Sequence, residues 1–263
     1  MPTAERSPEG LLLAPVRNVA PLRSLDWLAA GWRDFTRAWC ASLFHGVIVA
    51  LAGILIVTVG FRLWYVLPGA VSGFVLVAPI LATGLYELSR RMLRGERPIL
   101  LHAFEAWRRG TRPLVWMGLA LAIAGTAWVL VSTVLVALFV KAPITGTVDF
   151  LRHVVLSEGS NLFWLWIALG GLGASFVFAA TAVSVPLMLD RDIDTLSAVL
   201  TSVRAVGENP LAMGIWAAII MALTVLSMAT FMLGFAIVVP VVGHATWHAY
   251  RDLVDADGLP PRQ

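Results

Sequence analysis

Two histidines, His244 and His248, stand four residues apart near the end of an apolar run, FAIVVPVVGHATWHAYRDL at 235–253. On a helix that spacing puts both imidazoles on one face. Two ring nitrogens so placed can grip a metal ion from a single helix. The run reads His-Ala-Thr-Trp-His, so the glutamate of the zinc-protease helix motif is missing. Neutral histidines at such a depth also hydrogen-bond to neighbouring helices or to lipid headgroups. Structural, metal- or haem-ligating and proton-handling roles all stay open for the pair.

Glu87 is the second residue with chemical potential. It lies one helical turn before Arg90 and Arg91, and an ion pair with either of them is its simplest use. A more demanding reading brings Thr83, Glu87, Asp190, His244 and His248 together at one depth. Such a ring would bind a cation or relay a proton. His45, near the start of an apolar stretch, would join it from the same side. Asp190, Asp192 and Asp194 lie close together in DRDIDT, which lacks the glycine and distal glutamate of a calcium-binding loop. This segment reads as a solvated loop, with Asp194 as an N-cap. No Ser/His/Asp order, phosphate-binding glycine loop or nucleotide fingerprint is present. The single cysteine, Cys40, excludes an intrachain disulfide and any cysteine metal motif.

Membrane helices must position these residues. Hydrophobic residues make up 59% of the chain and charged ones only 13%, against about 45–50% and about 25% in soluble domains. Residues 1–41 carry Glu5, Arg6, Glu9, Arg17, Arg23 and Asp26, and only Leu11–Val16 is apolar. That patch is too short for the core of a signal peptide. The chain therefore divides into a flexible N-terminal tail (1–23), a membrane domain (24–255) and a C-terminal tail (256–263). The expected spans are 42–61, 64–88, 114–140, 162–189, 211–229 and 233–250. Leu211–Tyr250 has no acidic or basic group except its histidines. As one helix it would be about 60 Å long, twice the hydrocarbon thickness. A tight turn near Ala229–Gly234 divides it.

Three amphipathic helices accompany the spans. The first sets Leu25, Leu28, Trp32, Phe35 and Trp39 on one face, as a helix lying in the membrane interface does. The second opens at Pro98 and ends at Gly110. The third starts after Asp194 and stops at Gly207. Of 19 Lys and Arg, only Arg62, Lys141 and Arg152 fall outside the segments assigned to the cytoplasm. This bias predicts cytoplasmic termini and a multi-pass protein of the bacterial inner membrane.

The even-numbered spans resemble one another. VLVAPILATGLYELSRR and AIVVPVVGHATWHAYRD align on Pro79 and Pro240, setting Tyr86 against Trp247, Glu87 against His248 and Arg90 against Arg251. AVSVPLMLDRD aligns on Pro186. Gly110-Thr-Arg-Pro113 recurs as Gly207-Glu-Asn-Pro210. The reading is all-α, with six transmembrane helices in three pseudo-repeated hairpins and amphipathic helices on the cytoplasmic face. Pro79, Pro186 and Pro240 would kink three helices. Gly170, Gly171 and Gly173 suggest close helix packing.

PVVGHATWHAYRDLV and APILATGLYELSRRMLRGERP resemble an uncharacterised bacterial family of predicted integral membrane proteins, the domain of unknown function numbered 2189. The resemblance covers most of residues 24–255, and GHATWHAYRDL is its most specific part. It implies a six-helix protein of the inner membrane and carries no activity. The expected function is a non-enzymatic, transporter-like or membrane-organising component. The alternative is a metal- or haem-handling protein, or an assembly partner of a respiratory complex, using His244 and His248. Expected partners are a bilayer with anionic headgroups and a second copy or a membrane complex. No motif supports nucleic acid, and no cofactor is expected unless the histidines hold a metal or haem.

Overall fold

A computed structural model describes residues 5–6, 11–60, 67–103, 112–141, 149, 151–156 and 161–262. Helix makes up 80% of it, so most backbone polar groups are satisfied within their own segment, as crossing a bilayer demands. A short antiparallel pair, β1 (Glu5–Arg6) and β2 (Leu12–Leu13), comes first. Then follow α1 (Arg23–Arg37), α2 (Trp39–Gly60), α3 (Leu67–Leu81), α4 (Thr83–Leu93) and α5 (Arg112–Phe139). A π-helical turn at Leu151–Val155 leads to α6 (Leu162–Thr181) and α7 (Ser184–Asp190). The chain ends with α8 (Thr195–Glu208), α9 (Pro210–Ala229) and α10 (Phe235–Leu253). The start of the expected second span (64–66), most of the second amphipathic helix (104–110) and Gly110 of the repeated loop lie outside the described residues.

Among the described residues, four stretches are long and apolar enough to cross a membrane: Trp39–Gly60, Arg112–Phe139, Leu162–Asp190 and Pro210–Ala229. Their outward residues include Leu51, Leu55, Ile123, Leu138, Phe176 and Met221, an apolar surface that suits lipid. The second and sixth expected spans are not among the four. The described part of α3 begins at Leu67 and continues past a turn at Ala82 as the polar α4. α10 has 19 residues, but its last turns hold His244, His248, Arg251 and Asp252. α9 ends at Ala229 and α10 begins at Phe235, with Phe231 and Met232 at positive φ in the turn between them.

The described residues form two compact units. One draws on Leu51–Ala78 and Leu119–Val177. Within it Trp128 donates to Ser72, and Trp166 donates to Ser132 at 2.7 Å. Gly170 packs on the Trp128 ring, while Gly171 and Gly173 face open space. The expected close packing thus holds for Gly170 alone of the three.

The other unit draws on Met1–Ala50, Pro79–Gly118 and Phe178–Gln263, and α10 lies at its centre. Glycines let neighbours approach α10 closely. A Cβ at Gly31 of α1 would run into the Val241 carbonyl, one at Gly46 of α2 into the Ala236 carbonyl, and one at Gly243 into Leu85 of α4. Trp27 of α1 also meets Trp216 of α9 edge-on at 6.0 Å.

Among the described residues, the flexible N-terminal tail (1–23) and the C-terminal tail (256–263) expected from sequence both hold hydrogen bonds to the fold. Arg17 N–H donates to Leu253 O at 2.8 Å, Asp255 N–H to Pro15 O at 2.9 Å and Asp192 N–H to Pro260 O at 3.0 Å. Asn209 holds the Val19 N–H and the Arg17 carbonyl. Ala14 is fully buried, and so nearly are Ala256 and Leu259. Prolines at 15, 260 and 261 restrict the backbone of these segments at little entropic cost. The backbone hydrogen bonds then strap both ends to α7, α8 and α10.

Candidate functional site

The site begins with how α1 lies. Its buried residues are Ser24, Trp27, Ala30, Gly31 and Asp34. This stripe at spacings of three and four docks on α10. Leu25, Trp32 and Trp39 are more than half exposed. The aromatic face legible in the sequence is therefore the outward one, and the small residues on the opposite face make the helix contact. Asp252 fixes the near end, accepting from Trp27 Nε1 at 2.8 Å and from Arg23 Nε at 2.7 Å.

Asp34, with the small residues beside it, reaches the two histidines. His248 Nε2 donates to Asp34 Oδ2 at 2.8 Å, and Ser89 Oγ donates to the same oxygen at 2.8 Å. Ser89 Oγ also lies 2.7 Å from His244 Nδ1, and Ser42 Oγ lies 2.9 Å from His244 Nε2. Ser89 has one proton, which goes to Asp34. Its oxygen therefore accepts from Nδ1–H of a neutral His244, and Nε2 accepts from Ser42. The Leu85 carbonyl, one turn before Ser89, also accepts from the ring. The result is an unbroken hydrogen-bonded chain, Ser42–His244–Ser89–Asp34–His248, drawn from α2, α10, α4 and α1. Ser42, Ser89 and His244 have no exposure to solvent, and Asp34 has 5%.

Burial alone would push the Asp34 carboxyl up. Hydrogen bonds from His248 and Ser89, with the nearby imidazoles, outweigh it and hold the group below its ordinary value of 3.8. Asp34 is thus a carboxylate of α1 held by α4 and α10. Beside it lies a cavity of about 190 Å³ lined by Arg33, Asp34, Arg37, Met92, Leu93 and His248.

The other sequence-predicted residues do not join this chain. Glu87 is buried and pairs with Arg90 and Arg91, each at 2.7 Å. Thr83 donates to the Ile80 carbonyl. Asp190 accepts from the Tyr250 hydroxyl at 2.8 Å and faces Arg191 and Arg251. The ring expected from Thr83, Glu87, Asp190, His244 and His248 is replaced by separate pairings, because each carboxylate has arginines on its own or the adjacent segment. DRDIDT is likewise more than a solvated loop, since Asp190 is buried there. Its Asp194 caps α8 as expected, accepting from Ser197 N–H at 2.9 Å. α8 runs through Gly207 and stops at Glu208.

Metal ligation by His244 and His248 meets a geometric obstacle. Both His244 nitrogens are engaged by serines, and His248 Nε2 is engaged by Asp34. Among the described residues no three His, Cys, Asp or Glu side chains are grouped to hold a metal.

The three prolines sit where backbone acceptors lose their donors. Pro186 cannot bond Ala182, and the helix breaks at 182–183. Ser202 of α8 closes the break, accepting from Val183 N–H at 3.1 Å and donating to Ala179 O at 2.7 Å. Past Pro79, at the Ala82 turn, His45 Nε2 donates to Leu81 O at 2.6 Å. His45 is thus a cap for a helix end. α10 stays continuous through Pro240, and Gly46 packs on the Ala236 carbonyl that Pro240 leaves without its helical donor.

The serines and Asp34 escaped the sequence reading, although Trp27, Ala30, Gly31, Asp34, Ala38, Ser42 and His45 form one stripe at spacings of three and four. Part of the chain is similar to a known family. Residues 66–190 match the family of predicted integral membrane proteins DUF2189. No curated protein and no solved structure matches the chain. The match is shorter than the resemblance over 24–255 and leaves out GHATWHAYRDL at 243–253. It includes Pro79, Glu87, Ser89, Pro186 and Asp190, but not Asp34, Ser42, His244 or His248. The family and the four apolar helical stretches agree on an integral membrane protein.

Proposed function

We propose that the protein is a non-enzymatic, membrane-organising component of the bacterial inner membrane, whose task is to hold α1 at the cytoplasmic surface of the bilayer. One observation carries this reading. α1 is clamped to α10 through Gly31, Trp27 and the Asp34–His248 bond, while Leu25, Trp32 and Trp39 point away from the protein. A helix with an aromatic outer face and arginines beside it suits the headgroup region. Around it we propose six crossings in three repeated hairpins with cytoplasmic termini, as the arginine bias and the Pro79, Pro186 and Pro240 alignment suggest. The buried polar chain then fixes the angle of α1 against the bundle.

Spin labels test the placement of α1. In a Cys40→Ser background, labels at Trp32→Cys and Leu25→Cys should be accessible to oxygen and shielded from a water-soluble nickel chelate in proteoliposomes. A label at Asp26→Cys should show the reverse. Equal chelate exposure at all three positions would remove the interfacial reading.

A further inference from the structure

We infer that the cavity between α1, the end of α4 and α10 binds the phosphate of an anionic phospholipid headgroup. The inference rests on α1 lying at the membrane surface and names what it holds there.

Arg33 and Arg37 are one helical turn apart on α1, and both line the cavity. Neither has a carboxylate partner among the described residues. Arg17, Arg23, Arg90, Arg91, Arg191, Arg204 and Arg251 all do. Two planar guanidinium forks side by side match the oxygens of a phosphate.

His248 lines the same cavity. Its Nε2 is held by Asp34, and among the described residues its Nδ1 has no partner. The Asp34 carboxylate also borders the space and opposes an anion. Ser89 and His248 both donate to its Oδ2, and the two arginines outnumber it, so the balance favours a negative ligand.

The surroundings point to lipid. Met92 and Leu93 form the apolar side of the cavity, and Leu93, Trp32 and Trp39 are more than half exposed nearby in sequence. At about 190 Å³ the cavity is smaller than the roughly 300–1,000 Å³ that holds a whole small ligand. It suits a headgroup phosphate whose acyl chains stay in the bilayer.

Native mass spectrometry of the delipidated full chain in detergent tests this. The probes are phosphatidylglycerol, phosphatidylcholine, glycerol 1-phosphate and inorganic phosphate. Phosphatidylglycerol adducts should exceed phosphatidylcholine adducts, and Arg33→Gln with Arg37→Gln should lower them about ten-fold or more. Arg204→Gln, an exposed arginine on α8, should leave them unchanged. Phosphatidylglycerol held more tightly than glycerol 1-phosphate assigns the site to lipid. Equal retention of the two overturns the lipid assignment in favour of a soluble phosphate. Unchanged phosphatidylglycerol adducts in the double variant, with size-exclusion behaviour intact, overturn the site itself. The spin labels on α1 separate the two failures. Labels at headgroup depth with no headgroup selectivity sink only the phosphate site, and labels in water sink both.

Discussion

Ser89 has one hydroxyl proton, and that proton sets the direction of the whole polar chain. It points to Asp34, so His244 must donate from Nδ1 and accept at Nε2. The charge that orders the chain is therefore the Asp34 carboxylate. Asp34→Asn should cost about 1.5–3 kcal/mol at neutral pH, the scale of hydrogen bonds to a charged group. Because folding lowers the Asp34 pKa below 3.8, its contribution is complete above that value and is lost as pH falls through the folded value. The stability gap between wild type and Asp34→Asn should then be full above 3.8 and close only as pH falls through the folded value. Other acids held low, such as Asp255 beside Arg17, act equally in both proteins and cancel. Unfolding midpoints followed by tryptophan fluorescence across this range decide the matter, and a gap that persists in acid would show that Asp34 does not order the chain. His244 and His248 were legible as chemistry because polar groups stand out in an apolar run. Their partners were not, since a serine at a helix end gives no signal of its own. Asp34 looked like one more charge on an amphipathic helix until α10 was laid against it.

Helices were legible from apolar length and from punctuation: Asp194 begins α8, and Pro210 opens α9. The three prolines were legible too. What answers each of them was not, because it comes from another helix and differs every time: His45 near Pro79, Ser202 before Pro186 and Gly46 at Pro240. A periodic pattern describes one helix face and cannot name the atom facing it. Gly46 offers the sharpest test. A methyl group there would press into the Ala236 carbonyl and the Pro240 ring, and backbone gives way poorly. Gly46→Ala should destabilise by about 1–3 kcal/mol. Gly171, also helical, has nothing within 4 Å of its added Cβ. Gly171→Ala should be neutral or stabilising by up to about 1 kcal/mol, the intrinsic helix preference for alanine. Thermal unfolding in one detergent compares the two directly. Equal effects would mean that close approach at Gly46 does not control how α2 sits on α10.

For the whole molecule the number of crossings is decisive, and hydrogen bonds constrain it. If only the four longest apolar stretches crossed, Asp192 would lie opposite the chain ends, yet Asp192 N–H bonds Pro260 O. Ser42 at the start of α2 and Ser89 at the end of α4 would also face opposite sides, yet both bond His244. Letting α3 with α4, and α10, cross as well returns each of these pairs to one side. It also puts Arg90, Arg91 and Arg94 on the same side as the arginines of the N-terminal segment and α1. The cost is two crossings with polar ends, which the Glu87–Arg90–Arg91 pairs and the histidine chain satisfy internally. The turn at 230–234 separates the alternatives, since six crossings put it outside and four put it with the termini. In a Cys40→Ser background, Phe231→Cys should react with an impermeant maleimide added to intact spheroplasts. Asp257→Cys should react only after the membrane is opened. Phe231 is 85% exposed, so a failure to label it from outside would reflect sidedness rather than burial. It would leave α10 on the cytoplasmic surface and dissolve the three-hairpin repeat.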